Sequence, residues 1–163
     1  MIEVPLVVDD PVARRAFLER TMHEALAGLA ADAQPQWGRM TAQQMVEHLL
    51  WSIRGSTGAM QFAVATPPQL LERAKRFLHH DRQTAHEFMN PLLVEGVPPL
   101  EFADLGGAVA AVREEMGRFL ALSVAEPDAV RNHPIFGPLK PEEWERSHFK
   151  HVHHHLQQFG LIA

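Results

Sequence analysis

The sequence contains no cysteine, which excludes a disulfide framework, a thiolate zinc site and a cysteine nucleophile, and is the usage expected of a reducing cytoplasm. Any thiol chemistry must then be brought by a substrate. An excess of cations is missing too: 15 Lys and Arg stand against 20 Asp and Glu, for a formal net charge of -5 and a pI near 6.1. Phosphates would have to be met by a local basic patch, and none stands out, so no nucleic-acid partner is expected. No run of about 18 apolar residues occurs, and Met1 to Val8 lack a basic leader, so neither a membrane partner nor a processed leader is expected. Alternating strand patterns, internal repeats and linkers are absent as well. What remains is a single domain, residues 1–163, 46% hydrophobic, long enough to hide roughly 70% of its unfolded surface.

Helix signals punctuate this domain. Asp10 caps and Pro11 opens a first helix, which the apolar stripe Val12, Phe17, Leu18, Leu26 and Leu29 carries to about Ala31. Thr41 and Gln44 have capping-box spacing, with Met40 and Met45 placed as a hydrophobic staple, at the head of a second. Thr66-Pro67-Pro68 starts a shorter helix through about His79, and residues 80–102 form a long connection broken at Asn90-Pro91 and Gly96-Val97-Pro98-Pro99. Asp104 caps a helix that reaches about Ser123. After the turn residues His133 to Pro138, Pro141 begins a final helix that Gly160 stops. Four substantial helices and one short one predict an all-α fold, a four-helix bundle with an additional short helix.

The unusual presence is histidine, 11 in all, five of them between His148 and His155. On a helix, His151 and His155 project about 40° apart and one turn along the axis, so they can share a metal ion. His148 is close enough to His151 to be an alternative ligand or a supporting partner, while His153 and His154 point towards the flank or back and are expected to face solvent. Five His in eight positions also produce such a pair by chance, and a polar helix edge is the stronger explanation of the pair taken alone. His48, at the border of the Met45, Leu49 and Ile53 stripe, is a candidate third imidazole or a hydrogen-bonded boundary residue.

Three blocks carry a resemblance. Trp37-Gly-Arg-Met-Thr-Ala-Gln-Gln-Met-Val-Glu-His48, His133-Pro-Ile-Phe-Gly-Pro-Leu-Lys-Pro-Glu-Glu-Trp144 and His148-Phe-Lys-His-Val-His-His-His-Leu-Gln-Gln-Phe-Gly160 resemble the DinB-like (YfiT-like) metal-binding helical-bundle superfamily, in a branch of uncharacterised bacterial domains. The resemblance implies that His48, His151 and His155 bind a divalent metal, zinc or nickel, with Gln158 matching the glutamine that follows the last ligand. It also implies a homodimer, and a metal-dependent enzyme acting on a small molecule by thiol-dependent transfer or hydrolysis, a low-molecular-weight thiol being the partner in the first case. A non-catalytic metal-binding or small-ligand-sensing module is the alternative. Lys140 departs from the Thr or Ser expected to cap the last helix. His154 is a competing neighbour of His151, although the apolar wheel favours His155. Three neutral imidazoles would leave the ion's charge undiminished, the arrangement that acidifies a bound water or takes up a thiolate.

Other patterns read as structural. Glu145 and His148 form an ExxH, but a di-iron site needs a second such pair and two more carboxylates. Ser147 and Ser52 lack a nucleophile-elbow context. Glu47, Glu143 and Glu145 are expected to be solvated, Met40, Met45, Met60, Met89 and Met116 to fill the core, and Trp37 and Trp144 to anchor packing near helix starts.

Overall fold

Asp10 lies in extended backbone and its carboxylate accepts the N–H groups of Val12 and Ala13, both at 3.0 Å. With Pro11 at the first position, where a missing donor costs nothing, α1 (Pro11–Ala16) begins where the sequence sets it. The computed structural model describes residues 1–163. The first helix does not run evenly to Ala31. Phe17–Thr21 is a π-helical turn leading into α2 (Met22–Ala27). The residue inserted there shifts the register between two buried sets, Phe17 and Leu18 before it and Met22, Ala25 and Leu26 after it. Gly28 and Leu29 then donate to carbonyls three residues back, at 3.1 Å each, and this tightening ends the helix early.

Thr41 and Gln44 form the capping box: the Thr41 hydroxyl accepts the Gln44 N–H at 3.2 Å and the Gln44 side chain accepts the Thr41 N–H at 2.9 Å. α3 (Ala42–Thr57) follows, and stops at Gly58, whose φ of 83° only glycine adopts freely. The predicted short helix is broken into α4 (Leu71–Arg76) between 3-10 turns at Pro68–Leu70 and Phe77–His79. Its end is held by Lys150, which donates to the carbonyls of Phe77, His80 and Arg82. The connection from His80 to Phe102 contains one 3-10 turn, Pro91–Leu93. Asp104 accepts the Gly107 N–H at 2.8 Å and starts α5 (Leu105–Ala125).

The all-α expectation misses a small antiparallel sheet, β1 (Arg131–His133) with β2 (Gly137–Leu139). Three-residue strands are too short to show alternation, and the turn between them is closed by a side chain: His133 Nδ1 accepts the N–H groups of Ile135 and Phe136 at 3.0 and 3.3 Å. α6 (Pro141–Gln158) starts without a hydroxyl cap at Lys140, but Glu143 accepts the Lys140 N–H at 3.2 Å, which supplies half a capping box.

The fold is thus mostly helical, with α3 lying along α5 and with α6 meeting α3, α5 and the α1–α2 path. Trp144, Phe149, Val152 and Leu156 of α6 are buried with Met45, Leu49 and Ile53 of α3 and Val112, Met116 and Phe119 of α5. Of the methionines expected inside, Met40 and Met60 are half-buried and Met89 is exposed, because it lies in the connection rather than on a helix. The chain ends are joined by a parallel bridge between Ile2 and Ile162, which lays the leading segment over α6. No helix is long and apolar enough to cross a membrane.

Candidate metal centre

Where α3 faces α6, His48 meets the i, i+4 pair His151 and His155. His48 Nε2 lies 2.8 Å from His151 Nε2, and His155 Nε2 lies 3.1 Å from the same atom. One ring nitrogen from each of the three comes within 4.8 Å of the others. His48 and His155 are buried and His151 is half-buried.

A chain of hydrogen bonds fixes which nitrogen of His155 points inward. The Trp37 carbonyl can only accept, so the Gln158 amide turns its Nε2 towards it, at 2.8 Å. Gln158 Oε1 therefore faces His155 Nδ1 at 2.7 Å, and that nitrogen must carry the proton. His155 Nε2 is left with its lone pair directed at the other two rings. A single proton on His151 Nε2 can point at one neighbour but not both, so at least one of the two close contacts lacks a hydrogen bond of its own unless a cation is shared. Gln158 is itself held by the loop after α2: Gln36 N–H donates to its carbonyl at 2.7 Å, and Gly38, at φ 80°, leaves room that a Cβ would close to 2.7 Å from the amide nitrogen. A ligand imidazole oriented through its second nitrogen is the usual construction of a metal site.

Burial first, and the His154 ring after it, push the His48 pKa down to about 4. Burial and then the neighbouring imidazoles hold His151 and His155 well below the ordinary value. All three are neutral at neutral pH, the form that ligates. The donor set therefore fits a divalent ion that accepts nitrogen ligands.

The remaining candidates sort differently from their sequence expectations. His148 is not in the cluster: its Nε2 lies 2.7 Å from the Ser56 hydroxyl, which donates to the Ile53 carbonyl at 2.7 Å, so His148 must be the donor. It packs against Phe119 and Trp144, and burial pushes its pKa down to about 3. His153 does not face solvent; it is 2% exposed, and its Nε2 donates to the Val4 carbonyl at 2.7 Å, because the leading segment covers that side of α6. His154 is half-buried beside Trp37 and His86 and is not part of the triad.

The acidic side chains are also less free than expected. Glu47 accepts N–H groups from Glu101, Phe102 and Gln43 at 2.7, 3.1 and 3.0 Å, clamping the end of the connection onto α3. Glu145 is buried against Arg14 at 2.9 Å, and Glu143 pairs with Lys75 at 2.9 Å. Trp144 is an anchor, its indole donating to the Arg131 carbonyl at 3.2 Å. Trp37 instead stacks on His86, ring centres 3.7 Å apart. His133 and the Arg54–Glu101 pair had no local signature, since each acts through a contact whose partner or geometry only the folded chain supplies.

Residues 16–160 match the family described as "Protein of unknown function (DUF1569)", a span that includes all three clustered histidines. No curated protein and no solved structure matches.

Proposed function

The chain belongs to that family of unknown function, and from its site we propose that it is a divalent-metal-dependent enzyme of the DinB-like kind, a four-helix bundle whose His48, His151 and His155 hold zinc or nickel. One observation carries the reading: the three Nε2 atoms converge while Gln158 leaves the inward nitrogen of His155 without a proton. The ligand positions agree with the resemblance, one His from the second long helix and an HxxxH pair from the last. When bound, a divalent ion held by neutral ligands supplies Lewis acidity towards a water or a thiol. The chain's own part is to orient His155 through Gln158 and to keep all three rings neutral by burial. Thiol-dependent transfer and hydrolysis of a small molecule are the two reactions this chemistry suits, with a low-molecular-weight thiol as co-substrate in the first. The resemblance extends the proposal to a homodimer.

A non-catalytic metal-binding or ligand-sensing module is the second reading, and Glu47 favours it. The carboxylate beside His48 in sequence is spent on three N–H donors and so is not free to act as a base.

Elemental analysis of protein purified without an affinity tag tests the centre, since surface His would collect nickel from a column. About one divalent ion per chain is expected, lost from His48→Ala, His151→Ala and His155→Ala and kept by His154→Ala. An ion retained by His155→Ala, or lost equally from His154→Ala, would end this assignment. Cobalt-loaded protein separates the two readings: a visible-band shift on adding a small thiol, with turnover of an electrophilic acceptor, supports the enzyme, and neither supports the module.

A further inference from the structure

Beside the triad, α3 and the end of the long connection line a half-open cavity of about 340 Å³, a size suited to a small molecule. Much of its wall is apolar, from Trp51 and Met60 on one side to Val97, Pro98 and Leu100 on the other. His48 lines it and is common to the cavity and the metal centre. Arg54 lines it six residues further along the same helix, about 9 Å away at 1.5 Å per residue.

The polar groups in this cavity differ in how firmly they are committed. Both oxygens of Glu47 accept backbone N–H groups of the opposite wall, so that carboxylate is part of the frame. Arg54 holds the Glu101 carboxylate in a two-pronged pair, at 2.6 and 2.8 Å. The Glu101 side chain is 53% exposed and that of Arg54 is 25% exposed, so Glu101 can turn out into water while the guanidinium stays at the wall. An ion pair with its carboxylate this open is screened by water and can be exchanged for another carboxylate. The pair therefore amounts to a carboxylate-reading fork occupied by the chain's own carboxylate, at one end of an apolar cavity that reaches the metal centre at the other.

We propose that this cavity binds a small monocarboxylate with an apolar body, its carboxylate replacing that of Glu101 on Arg54 and its body lying along Trp51 towards His48. As a statement about the substrate, this rests on the metal-dependent reading; as a statement about binding, it rests on the cavity alone.

Octanoate is the probe, titrated calorimetrically into the zinc-loaded full chain, with octanol and octylamine as head-group controls. Octanoate should bind at least about tenfold more tightly than either control, the scale of one charge-assisted pair. Arg54→Gln should weaken octanoate by about tenfold and leave octanol unchanged. Glu101→Gln, which removes the same ion pair, should strengthen octanoate several-fold, so a mere loss of the pair's structural role cannot imitate the result. His155→Ala, which dismantles the metal centre, should still bind octanoate. Equal binding of octanoate and octanol, no binding at all, or weakening in Glu101→Gln would overturn the proposal. Loss of octanoate binding in His155→Ala would place the carboxylate on the metal and overturn it too. Loss of metal from His155→Ala with octanoate still bound keeps the two readings apart.

Discussion

Gln158 is the residue on which the orientation of the cluster turns. Its amide has one arrangement compatible with the Trp37 carbonyl, and that arrangement dictates the proton on His155 Nδ1 and the lone pair on Nε2. Gln158→Leu keeps much of the volume and deletes both hydrogen bonds, leaving a buried N–H without an acceptor. Supporting partners of this sort are typically worth about 10- to 100-fold in metal affinity. Competition with a chromogenic chelator should therefore show a weaker ion in Gln158→Leu than in wild type, with the triad itself intact. Unchanged affinity would mean that His155 is oriented by packing alone. At this scale the sequence was informative where chemistry is local: the His151/His155 spacing and the Thr41/Gln44 box both appear in the structure. It misplaced His153, whose spacing put it on the flank or back of the helix and so in solvent, because the covering Val4 comes from 149 residues away in the chain.

Glu47 shows why neighbours in sequence can have separate tasks on one helix. His48 turns to α6, while Glu47, about 100° round α3, takes up the N–H groups of Glu101 and Phe102 and so fixes the wall of the cavity. A general base would be judged by activity, a clamp by stability. Glu47→Ala should lower unfolding stability in urea by about 1 kcal/mol, the cost of stripping the acceptor from the part-buried Phe102 N–H and the exposed Glu101 N–H, while the metal content stays at that of wild type. A stable Glu47→Ala that has lost its ion would contradict the clamp. Elements were legible in proportion to their regularity. α3, α5 and α6 follow from caps and apolar period, whereas the π-helical turn at Phe17–Thr21 and the hairpin closed by His133 depend on packing and on one imidazole acceptor. Neither leaves a periodic trace.

Across the whole molecule, buried neutral imidazoles tie stability to pH even without a metal. Burial holds His133 and His148 at about 3, against about 6.5 in an unfolded chain. Between those values the unfolded state binds the protons and the folded state does not. Their contribution is complete above about pH 6.5 and drains away as pH falls towards 3, by about 2 kcal/mol per group at pH 5. Neither residue is in the triad, so metal-free protein and His155→Ala should both lose melting temperature on going from pH 7.5 to 5. A bound ion adds a second, separable term. Binding to the folded state alone stabilises by roughly 2.7 kcal/mol when free metal is 100 times Kd, and because burial holds His48 at about 4 and His151 and His155 well below their ordinary value, protons do not yet compete with the ion on the folded site at pH 5. A chelator should therefore lower the wild-type melting temperature at pH 7.5, act with a similar free energy at pH 5, where the folded ligand rings are still neutral, and leave His155→Ala unchanged at both, all on top of the shared acid trend. Calorimetric melts of the two proteins, with and without chelator at the two pH values, test both terms. A flat pH response in the metal-free protein would show that His133 and His148 do not set the acid limit. An equal chelator effect in wild type and His155→Ala would move the stabilising ion away from these three histidines.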